Sequence, residues 1–211
     1  MISVITGDII KSGKFNNPDV WLNPLKESLI KTGIEKKYWE IFRGDSFQIE
    51  IKDNQQAFHI ATYIKACIKT IKGLDVRMAI GVGSKDFTGN KVTESNGEAF
   101  MFSGETLENL KKEKTNLKIK SPYLFLNEEL NLYFKLASIA MDNWTVNSSE
   151  AIKIVLENFG ALQSEIAQII GISQDAVSKR LKRAYFNEII DLDRMYNQKI
   201  TLLELNLLER K

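Results

Sequence analysis

Lys37-Tyr38-Trp39-Glu40-Ile41-Phe42, then Arg43-Gly44-Asp45, then Ser46-Phe47-Gln48-Ile49-Glu50-Ile51 make two alternating runs about a Gly-Asp. That is the pattern of a β-hairpin. Before it, residues 2–6 are β-branched or small and read as a buried strand ending at Thr6-Gly7-Asp8. Pro24 to Lys31 reads as a helix, with Leu25, Leu29 and Ile30 on one face. After the hairpin, Ala57, Ile60, Ala61, Ile64, Ile68 and Ile71 recur at helical spacing, and Gly73 stops that helix. Val76, Met78, Ile80 and Val82 then alternate as a strand.

The order β-α-β-β-α-β predicts an α+β, ferredoxin-like unit: an antiparallel sheet with both helices on one face. Asn96-Gly97-Glu98 opens a further helix to Leu110, residues 111–116 read as a charged loop, and Leu117–Phe125 as an added strand. Beyond it the pattern is helical: Asn127–Met141, Ser149–Phe159, Gln163–Ile170, Gln174–Phe186 and Asn187–Leu208. Three prolines and no low-complexity run leave no flexible linker, so boundaries come from the change of pattern. The division expected is an α+β domain over 1–127, a connecting helix over 128–146, and an all-α domain over 147–211.

Composition narrows the classes. Of 211 residues, 44% are apolar and 27% charged, the balance of a chain with a core and not of a disordered one. Net charge is only +2, so nucleic-acid binding needs a local basic patch. A single cysteine, Cys67, excludes an intrachain disulfide and a thiolate zinc cluster. The apolar run at the N-terminus is too short for a signal peptide, and no stretch approaches the roughly 20 apolar residues that span a bilayer. A cytoplasmic protein with no membrane partner is expected. His59 and Cys67 stand apart from any acid or nucleophile motif and read as structural.

Near the C-terminus, Gln163-Ser164-Glu165-Ile166-Ala167-Gln168-Ile169-Ile170-Gly171-Ile172-Ser173-Gln174-Asp175-Ala176-Val177-Ser178-Lys179-Arg180-Leu181 carries a physical argument of its own. Ala167 is small where two helices would cross, Gly171 falls where the turn needs φ > 0, and Ser173 can cap the second helix. Ile166, Ile170, Ile172, Val177 and Leu181 face inward. Gln174, Asp175, Ser178, Lys179, Lys182 and Arg183 project outward as a recognition helix would: amide and hydroxyl groups for base edges, Lys and Arg for phosphates. A helical hairpin with a merely solvated charged face has the same spacing. The segment resembles the helix-turn-helix of bacterial regulators and sigma factors, where "EIAxxLGISxxAVSxRL" patterns occur, with Ile170 replacing the usual Leu. The resemblance implies binding to double-stranded DNA.

Two acids stand out in the first half. Asp8 ends the first strand and Asp45 lies in the hairpin loop, so strand pairing sets them at one sheet edge. Adjacent carboxylates repel unless a cation or a shared proton neutralises them. All-oxygen ligands favour Mg²⁺ or Mn²⁺, which usually hold substrate phosphates as well. Taken singly, Asp8 is equally a turn cap and Gly44-Asp45 equally a plain hairpin.

"TGDIIKSGKF", "EIFRGDSFQIEI" and "VRMAIGVGS" resemble the first strand, hairpin and later strand of class III nucleotide cyclases, whose palm fold diguanylate cyclases share. The resemblance implies metal ligation by Asp8 and Asp45, with phosphates met by the main chain of Ile9 and Ile10. In the cyclase segment that supplies a transition-state Asn and Arg, this chain has Met101 and Glu105. An acid there has the wrong sign to stabilise phosphoryl charge. More closely, "VITGDIIKS", "RGDSFQ", "RMAIGVG", "SNGEAFMFSG" and the terminal helix-turn-helix resemble the SatD family over nearly the full length.

The resulting expectation is a DNA-binding transcriptional regulator whose palm-like domain senses a divalent metal with a nucleotide-like ligand. The alternative is a divergent nucleotidyl- or phosphoryl-transfer enzyme tethered to DNA. A pure interaction module is a third reading. Ile189, Leu192, Tyr196, Ile200, Leu203 and Leu207 form one apolar stripe near the C-terminus. That stripe needs a partner, and a homodimer through the C-terminal helix is the expectation.

Overall fold

The structure, a computed structural model, describes residues 1–208. In chain order it contains β1 (Ile2–Ile10), α1 (Asp19–Lys31), β2 (Trp39–Phe42), β3 (Ser46–Ile51), α2 (Ala57–Lys69), β4 (Asp75–Gly83) and α3 (Glu98–Glu113). There follow β5 (Leu117–Lys120), α4 (Leu124–Met141), α5 (Val146–Glu157), α6 (Gln163–Ile170), α7 (Gln174–Arg183) and α8 (Phe186–Leu208). The fold is α+β, with one five-stranded mixed sheet of order β2-β3-β1-β4-β5. β1 is central and antiparallel to both β3 and β4, and β2 and β3 form the hairpin. No helix among the described residues is long and apolar enough to cross a membrane.

The two faces of β1 meet different partners, as the period-2 alternation requires. Ile5 and Ile9 join Phe47, Ile49, Leu25, Leu29 and Ile64 in the main core, under α1 and α2. Val4 packs the opposite way with Val92, Ala99 and Phe100, under α3. Gly81 lets α3 approach, since a Cβ there would lie 2.1 Å from the Ala99 carbonyl oxygen. The hydroxyls of Thr6 and Ser103 close the same contact at 2.8 Å.

Several expectations are corrected here. The sheet is not purely antiparallel, because β5 adds parallel to β4, and α3 covers the face that the sequence pattern left open. The expected strand Leu117–Phe125 ends at Lys120, and α4 begins at Leu124, just past Pro122, which lacks the N–H a strand ladder uses. α1 begins at Asp19 and carries Pro24 inside it, held by burial of Trp21, Leu25 and Leu29.

The C-terminal stripe also finds its partner within the chain. Ile189, Leu192, Tyr196 and Ile200 are buried in the same core as the sheet's first face. Phe134 of α4 stacks on Phe58 of α2 with centroids 4.9 Å apart, and Tyr196 of α8 lies 6.0 and 6.2 Å from those rings. The Tyr196 hydroxyl donates to the Asn54 carbonyl at 3.2 Å. Each such aliphatic side chain contributes about 1.5–3 kcal/mol on burial, so docking along α2 and α4 outweighs leaving the stripe for a symmetry mate. The stripe therefore supplies no argument for a dimer. α4, expected as a connector, is a core element through Leu130, Phe134 and Met141. A buried ion network reinforces the junction. Lys65 Nζ donates to Asp75 and Asp142 at 2.7 Å each, and Lys69 Nζ to Asp75 at 3.1 Å.

Candidate nucleic-acid interface and carboxylate edge

α6 and α7 are joined by Gly171-Ile172-Ser173. Gly171 adopts φ 76°, and the amides of Gly171 and Ile172 both donate to the Ala167 carbonyl, at 2.9 and 3.0 Å. This left-handed position is strained for any residue with a Cβ, so glycine ends α6 where α7 must turn away. Ser173 Oγ then accepts from the Ala176 N–H at 3.2 Å, satisfying one of the orphan donors of α7. Ala167, Ile166, Val177 and Leu181 are buried between the helices, while Ile170 and Ile172 are partly so.

The opposite side of α7 is open. Gln174, Asp175, Ser178, Lys179, Lys182 and Arg183 are all exposed. Lys179 and Asp175 form an exposed pair at 2.7 Å, one helical turn apart, which costs little to exchange for another partner. Arg180 points inward, to Glu150 at 2.7 Å, and locks α7 onto α5. Of the basic run, Lys179, Lys182 and Arg183 thus face solvent and Arg180 serves packing.

The second candidate lies at one end of the sheet. Register sets Asp8 between Ser46 of β3 and Arg77 of β4. Arg77 Nη1 donates to the two Asp8 oxygens at 3.2 and 3.4 Å. Asp45 follows Arg43 and Gly44, both at positive φ, and its carboxylate accepts from the Ser12 hydroxyl. Burial pushes the Asp8 carboxyl above its ordinary value. The Arg77 guanidinium and the Lys111 ammonium oppose this, and the nearby Asp45 and Glu108 charges add to it. The two aspartates therefore share one electrostatic neighbourhood. Ile9 N–H donates to the Asp45 carbonyl at 3.1 Å, so that amide is already committed within the sheet edge.

Among the described residues no group of three or more His, Cys, Asp or Glu side chains could hold a metal ion. Two carboxylates fit Mg²⁺ or Mn²⁺ only in the manner of sites that complete their shell with phosphate oxygens and water. Arg77 already compensates Asp8, so a cation there has to displace the guanidinium. Met101 and Glu105 lie on the outer side of α3; Met101 is exposed and Glu105 pairs with Lys120 at 2.7 Å.

The sequence patterns single out Asp8 and Asp45 but give no role to Arg77, Ser12 or Lys111. Arg77 was legible in principle, because the alternation places it on the same face of β4 as Asp8 on β1. Ser12 and Lys111 reach the edge only through the loop after β1 and the packing of α3. His59 Nδ1 lies 3.1 Å from Asp193 Oδ2, tying α2 to α8. Burial pushes the Cys67 thiol up to about 12, which makes it unreactive.

No curated protein and no solved structure matches this chain. A family model described as the SatD family matches residues 1–192, from β1 through both candidate sites and into α8. The carboxylate edge and the α6–α7 pair thus fall inside one family pattern, and the chain belongs to the SatD family.

Proposed function

We propose that this protein is a DNA-binding regulator in which α6 and α7 act as a helix-turn-helix on duplex DNA. The observation that carries the reading is the two-sidedness of α7. Its inner face is locked by Val177, Leu181 and Arg180, while six polar or charged side chains are exposed on the outer face. A rigid helix presenting one amide, one carboxylate, one hydroxyl and three cations suits base edges and phosphates together.

In the same proposal the sheet half is palm-like and senses a phosphate-bearing, nucleotide-like ligand with Mg²⁺ or Mn²⁺ at Asp8 and Asp45. The antiparallel order β2-β3-β1-β4, with α1 and α2 on one face, supports it. Ligand phosphates would take over the Arg77 guanidinium and leave the carboxylates to the cation. The shared core would let this exchange bias α7, as a linkage between two sites.

The test is fluorescence anisotropy with genomic duplex fragments at low salt. Replacing Lys179, Lys182 and Arg183 together by Ala should weaken binding to every duplex and lower the salt slope by roughly 3. Equal affinity of wild type and variant overturns DNA binding by this face.

A further inference from the structure

α4 is apolar on two opposite sides. Leu130, Phe134 and Met141 are buried in the core. On the far side, Phe125, Leu132, Leu136 and Ile139 are 88%, 55%, 57% and 68% exposed. Phe125, Leu132 and Ile139 are spaced seven residues apart, close to two helical turns, and so lie along one line of α4. Beside this ridge runs an apolar groove of about 540 Å³ between α4 and α8, lined by Leu136, Ala137, Ala140, Ile189, Leu192 and Met195. Exposed Leu124 and Tyr185 extend the surface. Clustered apolar side chains on a surface mark a contact with another molecule, where singly scattered ones do not.

The pattern is also self-complementary. Counted from Leu132, Phe125 lies seven residues before and Ile139 seven after. An antiparallel copy centred there sets Phe125 of one chain against Ile139 of the other, and Leu132 against itself. On one rim of the ridge, Glu128 of each copy then meets Lys135 of the other. Both are exposed, and neither forms an ion pair with any described residue. The Glu128–Lys135 match, made twice about one axis, is what favours a second copy over an unrelated partner, because an isologous contact repeats each pair.

We propose that α4 pairs antiparallel with α4 of a second copy, about a twofold axis at Leu132. The proposal stands on the α4 surface alone and is independent of DNA or ligand binding.

The full chain is tested by light scattering and by oxidative cross-linking. Wild type should show twice the 24.1 kDa chain mass at micromolar concentration. Leu132→Glu should weaken self-association at least about tenfold while the secondary structure seen by circular dichroism stays as in wild type, since the position is exposed. The melting temperature should fall only as far as the lost association requires. Lys135→Glu should weaken it too, and adding Glu128→Lys should restore it. Leu132→Cys should cross-link to its own image under mild oxidation, with little background because Cys67 is buried. A monomeric wild type overturns the proposal, including the case where α4 serves a different protein. So does a dimer that survives Leu132→Glu, or one in which Leu132→Cys fails to cross-link.

Discussion

The carboxylate edge and the outer face of α7 are both polar, yet they are built in opposite ways. At the edge, charge is answered from inside the chain: Asp8 by Arg77 and Asp45 by the Ser12 hydroxyl. On the outer face of α7, Lys182 and Arg183 face solvent, and of the three outward cations Lys179 alone pairs with an acid among the described residues. The first surface must exchange partners to bind anything, so it answers a ligand by rearranging. The second can meet a polyanion with no change of fold. In the proposed function the first would sense and the second would dock.

That contrast can be broken in several ways. The largest effect should come from Phe134→Ala, which removes the ring stacked between α2 and α8. A loss of about 3–5 kcal/mol is expected, with both regions melting in one transition. Two resolved transitions in calorimetry would show that the regions do not share a cooperative core.

Next in size is Gly171→Ala. No atom crowds the position, so only the positive φ penalises a Cβ, by about 1–2 kcal/mol. Thermal melts should fall accordingly and DNA affinity with them, while any response to Mg²⁺ and nucleotide stays as in wild type. A variant that also loses the metal response would tie the edge to the α6–α7 turn more tightly than the contacts imply.

Lys182→Ala should lower the salt slope of DNA binding by about one unit, uniformly across sequences. A loss confined to particular sequences would make Lys182 a base reader instead of a phosphate contact.

The smallest effect concerns Asp8. Its carboxyl binds a proton more tightly in the folded chain than in the unfolded one, so its ionised form costs stability at neutral pH. That cost disappears as pH falls through the raised value toward the ordinary carboxylate range. Asp8→Asn should therefore raise the melting temperature slightly at pH 7, by at most about 2 °C, and the difference should close in acid. A destabilised variant at pH 7 would mean that the Arg77 pair outweighs the burial.

Local chemistry carried much of this fold into view. Alternation about Arg43-Gly44-Asp45 located β2 and β3, and helical spacing located α2 and α6 through α8, because periodicity depends only on near neighbours. The left-handed Gly171 and the Ser173 cap were legible for the same reason. The outward set on α7 followed from the inward one, since a helix with a buried stripe must expose its opposite side.

Distant pairing was decided elsewhere. The parallel β5, the α3 cover and the Arg77–Asp8 pair join residues separated by long stretches of chain. An apolar stripe such as Ile189–Ile200 demands burial but does not name its partner, because hydrophobic attraction has no direction. Only the packed structure shows α2 and α4 taking that stripe, and only then does the opposite face of α4 stand out as the one without cover.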